Sequence, residues 1–419
     1  MAGAVMQEPE PGVLLIGTAD TKADELLYMK QCIEAAGGKA IVMDVGVLGE
    51  PPFAPEVTNQ DVARAAGMTL AGIAALGDEN AAMTHMARGA VRIALDLHAQ
   101  ERVHGVLALG GTMGTDLALD VTAALPLGLP KFVVSTVAFS HLIPPERLAP
   151  DLMMILWAGG LYGLNGICRS ILGQAAGAVL GACRATQPER TAHPLVAITS
   201  LGKSCLSYMV ELKPALERRG YEVAVFHCTG MGGRAMESVA AQGGFAAVLD
   251  LCMQEVGNDT HGSIVTSGPD RLGAAGRRGI PQIVAPGGLD MIDMQSWKPL
   301  RPEYEGRPYH AHNRLIASVL MTPEERRLAA RNMMDKLARA TGPTAFVLPR
   351  GGIEAWDRPG APLHDPEGLQ AFLEEARRAV PPSVRLEEIA AHINDPAFSE
   401  TVLRIFDEWV QLGHIPRGA

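Results

Sequence analysis

The chain has 419 residues, 47% of them hydrophobic and 20% charged, enough for two or three domains with substantial cores and no need of disulfide or metal staples. That balance excludes long disorder, and a formal net charge of −10 with only 5% aromatics excludes nucleic acid as a main partner, because phosphate backbones demand a basic footprint. The six cysteines are scattered without a CxxC pair, which suits free thiols in a reducing, cytoplasmic setting.

Short apolar runs alternate with helical patterns, and this predicts α/β domains built on parallel sheets. In the first half, strands are expected at 13–17, 40–45, 105–109, 131–135 and 152–156. Between the first two, Leu26, Met29, Ile33 and Ala36 recur at helical spacing, and Gly37-Gly38 supplies a stop. Residues 81–100 and the alanine-rich 165–184 read as further helices. The longest uncharged stretch, 152–168, is broken by Gly159, Gly160, Gly163 and Gly166, so it reads as a strand and a turn, not a membrane span. A polar segment with two prolines, 185–194, marks a boundary between domains 1–187 and 188–419. Beyond it, strands are expected at 195–199, 222–226, 246–251, 281–285, 345–348 and 385–389, and Leu206, Met209, Leu212 and Leu216 form one helical stripe. The openings of the two halves are alike, with Tyr28-Met29 and Tyr208-Met209 in corresponding places. An ancient duplication and the likeness of any two strand–turn–helix units explain this equally well. The expected architecture is two doubly wound, mostly parallel-sheet (Rossmann/flavodoxin-like) domains facing a cleft.

Open α/β sheets bind ligands beyond the carboxyl ends of their strands, so the loops there carry the information. The first strand runs into Gly17-Thr18-Ala19-Asp20-Thr21-Lys22, which offers backbone access, hydroxyls and a helix start. Its plain alternative is that Asp20 or Thr21 caps that helix. The third strand ends in Gly110-Gly111-Thr112-Met113-Gly114-Thr115-Asp116 and again opens a helix. So many glycines and threonines suit a phosphate cradle of amides and hydroxyls beside the first loop. Asp44 ends the second strand, where Rossmann-type sites hold a ribose, or where a turn needs a cap; Thr136 follows the fourth. Gly202-Lys203-Ser204 resembles the tail of a Walker motif, but Ala197 stands where that motif needs glycine.

In the second half, Thr229-Gly230-Met231-Gly232-Gly233-Arg234-Ala235-Met236-Glu237 suits an oxyanion held by Arg234 and a proton taken by Glu237. Equally, Arg234 and Glu237 could pair at helical i,i+3 spacing. His310-Ala311-His312-Asn313-Arg314 lacks metal-ligand spacing and reads as hydrogen-bonding histidine. Asp290, after Gly287-Gly288, either reaches a ligand or caps the next helix, and Asn394-Asp395-Pro396 is a helix start.

Taken together, Gly17-Thr18-Ala19-Asp20-Thr21-Lys22, Asp44-Val45-Gly46-Val47, Leu109-Gly110-Gly111-Thr112, Gly163-Leu164-Asn165, Thr229 to Glu237, His312-Asn313 and His392-Ile393-Asn394-Asp395-Pro396 resemble the tomato mosaic virus resistance protein-like ATP-binding domain family and its bacterial members. The resemblance spans nearly the whole chain in order. Departures lie at Met113, where the family has a further glycine, at Phe139-Ser140-His141, near Gly160, and at Arg314. The resemblance implies ATP in the first domain, held by Thr18, Asp20, Gly110, Gly111, Thr112, Gly114 and Thr115 with Asp44 or Thr136 near the ribose. Magnesium would arrive with the phosphates and needs no protein metal site. The expected function is an ATP-binding enzyme for a small carboxylated or phosphorylated metabolite, with Arg234, Glu237, His312 and Asp290 turned toward it. A nucleotide sensor without turnover and a nucleotide-independent hydrolase or lyase are the alternatives. Nucleotide and substrate are the expected partners, with no membrane. The small residues Gly173, Ala175, Ala176, Gly177 and Gly181 suit either a homodimer, which the family also implies, or close packing on the sheet.

Overall fold

Apolar runs buried on both faces become parallel strands. The computed structural model, which describes residues 10–185 and 193–419, gathers them into two units, Met1–Pro188 and Glu189–Ala419. The expected boundary between 187 and 188 lies outside the described residues.

The first unit runs β1 (Gly12–Gly17), α1 (Ala23–Ala35), β2 (Lys39–Asp44), α2 (Asn59–Ala65), α3 (Leu70–Ala74), α4 (Glu79–Ala99), β3 (Gly105–Gly110), α5 (Thr112–Ala124), β4 (Lys131–Ser135), β5 (Leu152–Leu156) and α6 (Gly166–Arg184). Its five strands lie in the order β2-β1-β3-β4-β5, all parallel. Side chains alternate across the sheet as the pleat requires. Leu14 and Ile16 of β1 join α2 to α5 in one core, while Val13 and Leu15 join α1 and α6 in the other. The α1 stripe seen in the sequence is that second contact, and Gly37 ends the helix at φ +78°. By length and composition α6 could cross a membrane. Its Cys168, Leu172, Ala175, Ala176, Val179 and Leu180 are packed against the sheet, and 33% of that stretch is buried. Open space lies beside Gly177 and Gly181.

The second unit runs β6 (Leu195–Ser200), α7 (Ser207–Glu217), β7 (Glu222–His227), α8 (Met231–Ala241), β8 (Ala247–Cys252), α9 (Gln254–Thr260), α10 (Ala274–Arg278), β9 (Gln282–Gly287), β10 (Met291–Gln295), β11 (Tyr309–Ala311), β12 (Ile316–Leu320), α11 (Pro323–Leu337), β13 (Thr344–Pro349), α12 (Pro366–Ala379), β14 (Arg385–Ile389) and α13 (Pro396–Gln411). Six parallel strands lie in the order β14-β13-β9-β8-β6-β7, and β10, β12 and β11 form a separate antiparallel sheet. That small sheet departs from expectation, since no strand is expected at Met291–Gln295, Tyr309–Ala311 or Ile316–Leu320. Its strands are three to five residues long and pair across a long connection, so no local period announces them. The helix start at Asn394-Asp395-Pro396 is as expected: Asp395 is the N-cap of α13 and Pro396 its first residue.

One glycine shows how tightly the first unit is packed. Gly89 sits inside α4 where α2 crosses, and a Cβ there would lie 1.9 Å from the Val62 carbonyl oxygen. Alanine would gain about 1 kcal/mol of helix propensity but overpack the crossing at a cost of about 1–3 kcal/mol or more. The clash wins, so Gly89→Ala should lower the urea midpoint; a raised midpoint would show that the two helices separate freely.

Candidate functional site

In the first unit the strand order reverses at β1, with β2 on one side and β3 on the other. Successive connections then leave on opposite faces and open a crevice at the carboxyl ends of β1 and β3. The two glycine–threonine loops meet there, around a cavity of about 340 Å³ lined by Thr18, Asp20, Lys22, Gly110, Gly111, Thr112 and Gly114 among others. A Cβ on Gly110 would lie 2.6 Å from the Cα of Gly114, so only glycine lets the strand end abut the helix. Gly111 is the N-cap of α5, and no side chain caps that helix. Its first N–H groups therefore point out unpaired by any side chain, the arrangement that attracts an anion.

The other expected residues lie around this cavity but do not line it. Thr115 is buried and shares a 2.7 Å hydrogen bond with the Ser135 hydroxyl, tying α5 to β4. Thr136 is half-buried and donates its backbone N–H to the Gly110 carbonyl at 3.2 Å. Asp44 is fully buried, and its Oδ1 accepts the N–H groups of Ala19 and Gly46, both at 2.9 Å. Burial pushes its carboxyl above the ordinary range, with the Asp20 charge adding to it against those two bonds. Asp20 does not cap α1, contrary to the plain reading. Its Oδ2 accepts the Gly49 N–H at 3.1 Å, and α1 begins after Lys22 with no side-chain cap. Asp20 Oδ1 and Asp44 Oδ2 are buried without a hydrogen-bond partner.

The second sheet has its own reversal at β6, between β7 and β8. A larger cavity, about 520 Å³, opens there. The loop after β6 brings Leu201 to Ser204, β7 ends in His227, α9 begins with Gln254, and the small sheet adds Asp293, His310 and Ser318, with His312 just past β11 and Trp356 among the other lining residues. His227 Nδ1 accepts the Gly202 N–H at 3.4 Å, a long bond that leaves Nε2 as the ring's N–H. The His310 ring lies 4.1 Å from that of Trp356, and burial, then the neighbouring His312, holds its pKa below the usual imidazole range.

Of the four residues expected to carry chemistry, only His312 lines this cavity. Arg234 stands half-buried in the first turn of α8. Glu237 is spent on structure: it accepts the N–H groups of Leu272, Gly273 and Ala274 at the start of α10 and faces Arg271 at 3.4 Å. Burial raises its carboxyl nonetheless. The glycine segment before it carries an anion of its own. Glu255 Oε1 accepts the N–H of Gly230 at 2.6 Å and of Gly233 at 3.2 Å, the amides that an external oxyanion would need. Asp290 leads into β10 rather than into a helix, and is fully buried in a cluster with Glu354, Asp357 and Arg326. Both its oxygens lack partners, and burial pushes its pKa up to about 7, against the pull of Arg326. Among the described residues, no group of three or more His, Cys, Asp or Glu is disposed to hold a metal ion.

Sequence reasoning did not name Lys203, His227, Gln254, Asp293 or Trp356 as site residues, and met Lys203 only in a Walker-like tail that Ala197 set aside. The strand-end rule points to both Lys203, just past β6, and His227, the last residue of β7. Gln254 begins a short helix, and Asp293 lies in a strand that local pattern did not announce.

The model of the Uncharacterised protein family (UPF0261) N-terminal domain matches residues 11–188, and that of its C-terminal domain matches residues 193–410. The chain belongs to this family. It is 57% identical over 408 residues to a UPF0261 protein of Brucella melitensis, covering 97% of this chain and 98% of that one. A UPF0261 protein of Clostridium tetani is 34% identical over 389 residues, covering 92% and 96% of the two chains. The ToMV resistance protein Tm-1 of Solanum lycopersicum is 28% identical over 433 residues, covering 97% of this chain and 56% of that protein.

Two outcomes test this geometry. Arg271 is fully buried against Asp250, Glu255 and Glu237, so Arg271→Ala should cost about 3–5 kcal/mol in denaturant unfolding by stranding buried carboxylates. A loss under about 1 kcal/mol, the scale of an exposed pair, would refute its role as a clamp. Separately, burial and the charge of Asp290 push Glu354 up to about 9. A carboxyl that keeps its proton longer when folded contributes stability fully present below its unfolded pKa of about 4, and lost as pH rises through the folded value. Glu354→Gln should therefore flatten the fall in stability between about pH 5 and 9. An unchanged slope in urea midpoints would place that titration elsewhere.

Proposed function

We propose that this UPF0261 chain binds a nucleotide at the β1/β3 crevice of its first unit and acts as an enzyme on a small carboxylated or phosphorylated metabolite. The observation that supports this most is the uncapped start of α5, set at a sheet reversal and opening on a cavity with threonine hydroxyls. The donor set fits a polyphosphate. The first N–H groups of α5 and the hydroxyls of Thr18 and Thr112 would hold phosphate oxygens, and Lys22 would add a positive charge. Asp20 and Asp44 would repel a bare phosphate, so the nucleotide is taken as its magnesium complex, with the unpartnered Asp20 Oδ1 toward the cation's water shell. Asp44 holds the two loops in place through Ala19 and Gly46. Bound ATP would supply a phosphoryl group or the driving force of its hydrolysis. The resemblance to the ATP-binding domain family supports the same ligand. The enzyme reading draws on the second unit, whose cavity gathers imidazoles, a lysine and a buried amide.

The test is calorimetric titration of the full chain with MgATP, repeated on Gly111→Val. A Cβ at Gly111 meets only the Thr136 hydroxyl, at 3.8 Å, so the fold should tolerate the substitution while the cradle fills. Saturable binding by the natural chain, weakened at least about tenfold (1.4 kcal/mol) in the variant, is the expected result. No binding at millimolar MgATP would overturn the reading, and equal binding by both proteins would move the nucleotide elsewhere.

A further inference from the structure

The cavity of the second unit is built unlike that of the first. Its floor holds an acceptor with nothing to accept. Gln254 is 1% exposed and lines the cavity, and its Oε1 has no hydrogen-bond partner. The Gln254 amide lies close enough to Asp293 to bear on its carboxylate, while its own oxygen is left for something else. Space for it is reserved: a Cβ on Gly288, at φ +68°, would lie 2.9 Å from Gln254 Oε1. A buried amide oxygen left unpaired is unfavourable, so a ligand that donates a hydrogen bond there is favoured.

The rim has the opposite chemistry. Lys203 is exposed and carries no ion pair among the described residues, and His227, His310 and His312 stand around it. Asp293 is the carboxylate in the lining, and it is withdrawn: 3% exposed, with one oxygen accepting the Ser318 hydroxyl at 2.6 Å and the other the Asn258 amide at 2.9 Å. The open part of the cavity therefore faces a ligand with donors and a positive charge, against walls of Leu201, Met291 and Trp356.

We infer that this cavity binds a small hydroxylated carboxylate, its anionic end at Lys203 and a hydroxyl donated to Gln254 Oε1. This rests on the metabolite half of the proposed function and is independent of the nucleotide half. The carboxylate is drawn to the ammonium and to the His227 N–H at the rim. The carbon chain lies along the apolar wall, and the hydroxyl pays the debt of the buried amide. A plain carboxylate would leave Gln254 unsatisfied, and a neutral polyol would leave Lys203 unpaired, so both should bind more weakly. His310 and His312, beside the chain of such a ligand, are placed to move a proton at a carbon or oxygen next to the carboxylate.

The test uses the full chain, with calorimetry and the fluorescence of Trp356 as readouts. The probes are D-glycerate and D-gluconate, compared with butanoate, sorbitol and inorganic phosphate. The inference expects one of the two hydroxy acids to saturate, with butanoate and sorbitol at least about tenfold weaker and the fluorescence change abolished in Trp356→Phe. Lys203→Ala, at an exposed position that the fold should tolerate, should weaken the hydroxy acid about tenfold or more. Gln254→Leu should reduce the hydroxy acid to the level of butanoate; if that variant fails to fold, Lys203→Ala decides. Failure of both hydroxy acids to saturate at millimolar concentration, or an unchanged affinity in Lys203→Ala, would overturn the inference. So would inorganic phosphate binding as tightly as the acids. Gly111→Val should leave acid binding intact, so failure here and failure of nucleotide binding are told apart.

Discussion

The second unit turns on one guanidinium. Arg271 is enclosed by carboxylates from three elements: Asp250 on β8, Glu255 on α9 and Glu237 on α8. Its Nε reaches Glu255 at 2.8 Å, and its Nη2 reaches Asp250 at 2.7 Å and the Cys252 carbonyl at 3.1 Å. Asp250 in turn accepts the Thr199 hydroxyl at 2.9 Å, which carries the network to β6. Charges taken out of water survive only when matched in this way. Because the partners come from the carboxyl ends of two strands and from the helices that follow, the network fixes the loops in which His227, Thr229 and Gln254 meet the cavity.

The same network explains a motif that sequence alone leaves open between chemistry and a helix-surface pair. A Cβ on Gly233 would lie 1.8 Å from Glu255 Oε2, and one on Gly232 would lie 1.9 Å from the His227 carbonyl oxygen. These glycines admit an internal carboxylate and a tight turn. Glu255 supplies to α8 the anion that a ligand supplies in a phosphate loop. The α5 terminus of the first unit is made of similar residues but has no internal anion, and there the amides are open. Two glycine-rich helix starts thus serve opposite ends, and the difference lies in one carboxylate, 22 and 25 residues away in sequence from the glycines it binds, or absent.

Asp44 plays the corresponding part in the first unit. It is buried at the end of β2 and binds the backbone of the loops after β1 and β2. Its remaining oxygen and that of Asp20 are left without partners.

The sequence by itself determined the framework. Apolar runs buried on both faces have nowhere to go except the interior of a parallel sheet, so all eleven strands of the two large sheets are legible within a residue or two of their ends. The first-unit crevice was legible as well, because its glycines and threonines follow the strands that flank the reversal. Tertiary structure alone decided the rest. The small sheet of β10, β11 and β12 depends on pairing between distant short segments, which no local period encodes. Whether a carboxylate is a catalyst or a clamp depends on what meets it in space. Glu237 meets three backbone amides and Arg271, while Asp290 meets no donor at all. Gln254 becomes a buried, unpaired acceptor beside Gly288 only once distant strands and loops are assembled, because burial is a property that only the folded chain possesses.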